Sequence, residues 1–123
     1  MVKKSYPKTI AIVDDDRNLR EALKDLLEAA GYASHLYSSA EEFLDLRGYA
    51  LADCVLTDMR MSGLSGIDML IAMQGIPNLP PVIVMTSHDD CETISAAANR
   101  NAAAFLSKPV DTGELVRCLA ALL

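Results

Sequence analysis

Tryptophan is absent from this chain of 123 residues, and only 5% of its residues are aromatic. A hydrophobic core must therefore be built from aliphatic side chains and methionine, which the hydrophobic content of 51% supplies. Charged residues make up 23% of the chain, which is typical of a folded globular protein and not of a disordered one. The length fits one domain, residues 1–123, with a substantial core.

Positive charge is also scarce, because 11 lysines and arginines face 17 aspartates and glutamates, for a net charge of −6. This balance argues against a basic surface that binds nucleic acid directly. No apolar run approaches the length of a membrane span, and the one that follows the basic N-terminal segment is too short for a signal peptide. We therefore expect a cytoplasmic protein that does not contact a membrane.

Cysteine occurs three times, at Cys54, Cys91 and Cys118. The number is odd and the residues are far apart, so neither a disulfide framework nor a zinc knuckle is indicated. Free thiols in a reducing compartment are the expected state.

Short apolar runs alternate with segments of helical periodicity along the chain. The apolar runs predict strands at residues 10–13, 54–57, 82–85 and 103–107, and residues 33–37 predict a weaker, edge-like strand. Alternating strands and helices indicate a parallel sheet with right-handed crossovers and helices on both faces. The fourth predicted helix, at 91–99, has mostly small residues, so we expect it to be weakly anchored.

Several residues mark predicted helix ends. Ser39 with Glu42, and Asp111 with Glu114, have the spacing of a capping box, which predicts helix starts at these points. Gly31 follows an amphipathic segment, where a glycine often ends a helix.

Polar side chains follow the predicted strands directly. Asp14 and Asp15 follow the first strand, Asp58 the third, Thr86 the fourth and Lys108 the fifth. Ligands of such sheets bind beyond the carboxyl ends of the strands, so these groups should meet at one edge. Clustered carboxylates repel one another unless a cation compensates them, and Mg²⁺ prefers oxygen ligands. The sequence therefore predicts a magnesium site.

Lysine and threonine beside such a site point to phosphoryl transfer. That reaction needs in-line positioning and neutralisation of phosphoryl oxygens by a metal, an ammonium group and hydrogen-bond donors. Lys108 and Thr86 are the candidates for these roles, and Asp58 is the candidate carboxylate nucleophile for a transient acyl phosphate.

The segments "VDDD", "LTDMRMSGLSG", "VMTS" and "FLSKPV", in this order and spacing, resemble the receiver domain of two-component response regulators. The resemblance covers essentially the whole chain. "SAEEFL" and "DMRM" are most similar to receivers of the nitrogen-fixation regulators. The resemblance implies a flavodoxin-like (βα)5 fold, with a doubly wound parallel sheet of five strands in the order 2-1-3-4-5.

The same resemblance implies roles for individual residues. Asp58 would be the phosphorylated aspartate, and Asp15 and Asp58 would ligate Mg²⁺, for which Mn²⁺ can substitute. Arg60 would contribute its backbone carbonyl, and Asp14 would act largely through water. Lys108 would pair with the phosphoryl group.

The implied switch consists of Thr86, which would reorient toward the phosphate, and Phe105, which would move with it. Arg60 and His88 border the site in this family and would tune the phosphate lifetime; the plainer interpretation is that they are ordinary exposed residues. The peptide bond before Pro109 is expected to be cis.

The family also implies partners. A sensor histidine kinase or a histidine phosphotransfer protein would donate the phosphoryl group, and the chain would be a signalling phosphoacceptor that promotes its own phosphorylation and dephosphorylation. The readout face would be the fourth helix, the fifth strand and the last helix, with a homodimer through it as one outcome. Similar receivers usually precede a DNA-binding domain, so this chain is expected to be a single-domain receiver or the regulatory part of a transcriptional regulator.

Three residues depart from the family pattern. Ser62 stands where proline is common, which predicts a looser loop after the third strand. Ser87 adds a hydroxyl beside the site, and Asn101 replaces a glycine in the turn before the fifth strand. Asparagine tolerates positive φ, so that turn can survive.

Other functional classes fit the sequence less well. A haloacid-dehalogenase-type phosphatase needs a D-x-D-x-T pattern, which stops here after Asp16. A flavodoxin-like cofactor binder needs a phosphate loop after the first strand, where three aspartates would repel the phosphate. An unphosphorylated receiver that acts only as an adaptor is a third alternative, which the intact set of site residues argues against.

Overall fold

A computed structural model describes residues 7–87 and 102–123. The elements in this part of the chain are β1 (Thr9–Val13), α1 (Arg17–Ala29), β2 (Ala33–Tyr37), α2 (Ala40–Asp45), α3 (Gly48–Leu51), β3 (Cys54–Asp58), α4 (Gly66–Met73), β4 (Val82–Thr86), β5 (Ala104–Ser107) and α5 (Thr112–Leu122). The predicted helix at 91–99 and Asn101 lie outside the described residues. Among the described helices, none is long and apolar enough to cross a membrane.

The strands form one parallel sheet in the order β2-β1-β3-β4-β5. Every residue of β3 and β4 is buried, as expected for continuous apolar strands that are covered on both faces. β2 is an edge strand and is only partly buried. The predicted flavodoxin-like architecture and strand order are confirmed.

Two hydrophobic clusters lie on opposite faces of the sheet. Because side chains alternate between the two faces along β4, Val82 and Val84 belong to the first cluster, and Ile83 and Met85 belong to the second. Phe43 of α2 and Met69 of α4 belong to the first cluster. The second cluster is covered by leucines of α1 and α5, namely Leu23, Leu27, Leu115 and Leu119.

The helix ends follow the sequence signals in part. Asp16 caps α1 by accepting hydrogen bonds from two backbone N–H groups of the first turn, and Gly31 follows that helix at a φ of 94°. Ser39 caps α2, but the Glu42 carboxylate accepts from the Ser38 N–H at 2.9 Å. The predicted capping box, in which that bond comes from the Ser39 N–H, is therefore wrong in its second half.

The fold differs from the sequence prediction in two further places. Helix α3, with only four residues, was not predicted, because a single turn shows no periodicity. Gly63 and Gly66 predict a loop before the third helix, but Gly66 is the first residue of α4, which Ser65 caps in a full capping box with Asp68. A Cβ at position 66 would lie 2.6 Å from the Asp58 carbonyl oxygen, so glycine lets α4 approach the end of β3.

The thiols of Cys54 and Cys118 are free, as predicted. Cys54 is buried, and this burial raises the pKa of its thiol to about 12. A thiol with such a pKa stays protonated and unreactive at neutral pH. Cys91 lies outside the described residues.

Candidate functional site

Three carboxylates meet at the carboxyl edge of the sheet. Asp14 and Asp15 follow β1, and Asp58 ends β3, its neighbour in the sheet. One carboxylate oxygen from each lies within 4.8 Å of the other two. The strand ends therefore bring together the three acids that the sequence singled out as metal ligands.

Asp14 is the most buried of the three, with no exposed surface. Its Oδ1 accepts a hydrogen bond from the Asp16 N–H at 2.9 Å, whereas its buried Oδ2 has no hydrogen-bond partner. Burial raises the pKa of the Asp14 carboxyl, and the nearby Asp58 carboxylate adds to that effect. This oxygen is thus the clearest sign that the site is built for an additional positive group.

Asp58 lies between these acids and an ammonium group. Lys108 Nζ donates to Asp58 Oδ2 at 2.8 Å, with 10% of the Asp58 side chain exposed. A pocket of about 160 Å³ is lined by Asp58, Arg60, Ser87 and Lys108. This volume gives room for a phosphoryl group and a few water molecules.

Thr86 is buried at the end of β4, where it is 3% exposed. Its carbonyl accepts a hydrogen bond from the Lys108 N–H at 2.7 Å, which fixes the start of the loop after β5. The Lys108–Pro109 peptide bond in this loop is cis.

Phe105 lies opposite Val84 in the register of β4 and β5. It is partly buried and packs against the first hydrophobic cluster, to which Val84 belongs. Because side chains alternate along a strand, Thr86 is on the same face as Val84. The two predicted switch residues therefore share one face of the sheet.

The loop between β3 and α4 is tied to the acid cluster. The Ser62 N–H and the Ser62 hydroxyl both donate to Asp15 Oδ2, at 2.9 and 3.1 Å. The sequence predicted a looser loop at this position, but in the structure the serine is hydrogen-bonded twice to a candidate metal ligand. The missed signal was chemical, since serine carries two donors where proline has none.

Arg20 is a second residue that sequence reasoning missed. Its guanidinium donates to the Asp14 carbonyl at 2.6 Å, from one turn into α1. This contact holds the backbone from which the acid pair projects. Of the residues assigned to lifetime tuning, Arg60 is exposed at the pocket, and His88 lies outside the described residues.

The donor set fits a hard divalent cation. The three carboxylates supply oxygen ligands only, and the unpartnered Asp14 oxygen would gain the partner that the protein does not provide. Mutual repulsion among the acids would be relieved in the same step. The residues present are therefore compatible with Mg²⁺.

Comparison with known proteins identifies the class. Residues 10–120 match the family model of the response regulator receiver domain. The chain belongs to this family.

Individual relatives define the subtype. The transcriptional regulatory proteins FixJ of Bradyrhizobium diazoefficiens and Azorhizobium caulinodans are 36% and 37% identical to it, over 86% and 91% of this chain. The chain spans about half the length of these two relatives, at 52% and 53%. The DNA-binding transcriptional regulator NtrC of Klebsiella pneumoniae is 35% identical over 85% of this chain and 22% of that protein. The predicted resemblance to nitrogen-fixation regulators is confirmed.

Solved structures agree with this assignment. A response regulator receiver domain protein from Clostridium thermocellum superimposes with a TM-score of 0.87 and 31% identity, covering 94% of this chain and 93% of that one. Full-length FixJ from B. japonicum gives a TM-score of 0.83 and 32% identity, covering 96% of this chain and 60% of that one.

Proposed function

We propose that this receiver domain is a phosphoacceptor switch in which Asp58 takes a phosphoryl group from a phosphohistidine. The observation that supports this most directly is the position of Asp58, with an ammonium group 2.8 Å from one oxygen and two further carboxylates within 4.8 Å. A carboxylate in this setting can attack phosphorus while the charge of the phosphoryl oxygens is neutralised.

In the proposed step, an Asp58 oxygen forms the new bond to phosphorus as the bond to the histidine nitrogen breaks. The histidine nitrogen leaves with the bonding electron pair, and the imidazole is neutral on departure because its other ring nitrogen carries a proton. Lys108 would exchange its contact with Asp58 for one with a phosphoryl oxygen. Asp14 and Asp15, each with a carboxylate oxygen within 4.8 Å of one of Asp58, would help to hold the cation that compensates this cluster of negative charge.

Mg²⁺, or Mn²⁺ in its place, would be held by Asp15, Asp58 and the Arg60 backbone carbonyl, with Asp14 acting through water. When bound, the cation would supply positive charge to the phosphoryl oxygens. Arg60 and His88 are proposed to influence how long the acyl phosphate persists.

The switch itself is proposed to be the pair Thr86 and Phe105. Once Asp58 is phosphorylated, the Thr86 hydroxyl would turn toward a phosphoryl oxygen and vacate space on the face that it shares with Phe105. The ring would follow into this space, and the new arrangement would bias the readout face.

The donor is proposed to be a sensor histidine kinase or a histidine phosphotransfer protein in the cytoplasm. The output would be transcriptional, through the fifth strand, α5 and the helix predicted at 91–99, with a homodimer as one form of it. Residues 1–123 would act as one regulatory unit, which would also catalyse its own dephosphorylation.

The proposal is tested by measuring the intact mass after incubation with Mg²⁺ and acetyl phosphate. We expect one added phosphoryl group on the wild type, and none on Asp58→Asn or without a divalent cation. If no adduct appears, beryllofluoride can be tested as a stable mimic of the aspartyl phosphate. Failure of both reagents to modify or perturb the wild type would favour the adaptor alternative.

A further inference from the structure

Ser62 donates twice to the same oxygen of Asp15, from its backbone N–H at 2.9 Å and from its hydroxyl at 3.1 Å. The two residues are 47 positions apart and both are exposed. Exposed side chains normally sample several rotamers, so a contact of this kind between two loops restricts both of them.

We propose that Ser62 is a positioning residue for the metal site, which holds Asp15 in its ligating orientation and thereby raises the affinity for Mg²⁺. This inference rests on the proposed function, because it requires that Asp15 ligates the cation.

The hydrogen-bond capacity of the carboxylate supports a positioning role. An ionised carboxylate offers about four lone-pair sites, two on each oxygen. The two Ser62 donors can be satisfied by Oδ2, and the other oxygen of Asp15 is left for a cation. The terminal torsion of aspartate is otherwise broad, so a carboxylate that is already fixed loses less freedom when it binds the metal.

The position of Ser62 in the chain supports the same role. It lies two residues after Arg60, whose backbone carbonyl is the proposed ligand from the loop between β3 and α4. The two hydrogen bonds from Ser62 to Asp15 therefore link the loop that carries the Arg60 carbonyl to the loop that carries the Asp15 carboxylate. Hydrogen bonds from a neighbouring group to a ligating carboxylate typically change metal affinity by 10- to 100-fold.

Two substitutions separate the two donors. Ser62→Ala removes the hydroxyl and keeps the N–H, whereas Ser62→Pro removes both donors. Ser62→Thr keeps both and serves as the conservative variant. Ser38→Ala is a matched control, because Ser38 is also an exposed serine in a loop after a strand, and its N–H donates to the Glu42 carboxylate.

The measurement is the dissociation constant for Mg²⁺, obtained by calorimetric titration of each protein without a phosphodonor. We expect Ser62→Ala to raise the constant by about tenfold, the low end of the range for such partners, and Ser62→Pro to raise it at least as much. Ser62→Thr and Ser38→Ala should stay close to the wild type. Stability without Mg²⁺ should change little in Ser62→Ala, because the site is exposed.

The outcomes distinguish the two proposals. If the wild type binds Mg²⁺ and Ser62→Ala binds it equally well or more tightly, the positioning role is wrong while the metal site stands. Tighter binding would mean that Ser62 competes with the cation for Asp15. If the wild type itself does not bind Mg²⁺, the proposed metal site fails and the role of Ser62 fails with it.

Discussion

The Lys108 N–H donates to the Thr86 carbonyl at 2.7 Å, so the residue proposed to pair with the phosphate is held by the residue proposed to sense it. The same lysine reaches Asp58 through its ammonium group. One residue therefore connects the proposed phosphorylation site to the end of β4. The backbone contact does not depend on the lysine side chain, so the two roles of Lys108 can be separated by mutation.

Replacing Lys108 with alanine should slow phosphorylation of Asp58 by about 100-fold, by analogy with the loss of one donor to a developing oxyanion. The backbone contact with Thr86 would persist, so the fold should be retained. The rate of adduct formation from acetyl phosphate checks this expectation. Lys24→Ala is the control. Within the described part of the chain, Lys24 forms an ion pair only with Glu28, on the surface of α1. Equal rates in wild type and Lys108→Ala would remove the lysine from the chemistry.

Thr86→Ala should still accept the phosphoryl group but should not transmit it. The variant loses the hydroxyl that is proposed to turn toward the phosphate. Without this movement at position 86, phosphorylation would not change the space beside Phe105, and the ring would stay in place. Backbone amide shifts of residues 102–123, recorded with and without beryllofluoride, measure the response. Shift changes as large as those of the wild type would take Thr86 out of the coupling, and Thr86→Ser should respond like the wild type.

Asp14→Asn should raise the free energy of unfolding at neutral pH when no divalent cation is present. The buried Oδ2 has no hydrogen-bond partner, so removing its charge should raise the free energy of unfolding by about 1–3 kcal/mol. Asp25→Asn, on the exposed surface of α1, should have little effect. Urea unfolding in the presence of a chelator makes the comparison, and a less stable Asp14→Asn protein would contradict it.

The pH dependence of the same measurement has a definite sign. Burial raises the pKa of Asp14 above its ordinary value of 3.8, so the native state binds more protons than the unfolded state between the two values. The free energy of unfolding contributed by Asp14 should therefore fall as the pH rises through this window. Asp14→Asn should lack this component, and the difference between the two unfolding curves measures it.

Gly66→Ala should be destabilising by about 1–3 kcal/mol, because its Cβ would meet the Asp58 carbonyl at 2.6 Å and the Met59 Cα at 3.2 Å. Both neighbours are backbone atoms, which cannot rotate away. Gly113→Ala, near the start of α5, is the matched control, since its closest neighbour is the flexible Arg117 side chain at 3.2 Å. Thermal unfolding of both variants tests the difference. Equal stability of Gly66→Ala and Gly113→Ala would show that the backbone at the end of β3 shifts to accommodate the Cβ.

The sheet was predictable because most of its strands are short apolar runs bounded by polar residues, and the predicted bounds of the weaker edge strand β2 were the observed ones. The convergence of Asp14, Asp15 and Asp58 followed from the same pattern, since parallel strands end at one edge. Helix α3 was not predictable, because it is one turn that follows Arg47 at a φ of 52°. The contact between Ser62 and Asp15 depends on how two loops fold toward each other, which no local periodicity encodes.

The two faces of the sheet have different relations to the proposed switch. Thr86 and Phe105 point to the face that α2 and α4 cover, whereas Leu115 and Leu119 of α5 pack on the other face with α1. A rearrangement of the switch pair would therefore disturb one hydrophobic layer directly and reach the other only through the backbone of β4 and β5. The hydrophobic layer under α1 and α5 would then stay in place. A partner would detect the displacement of the first layer relative to it.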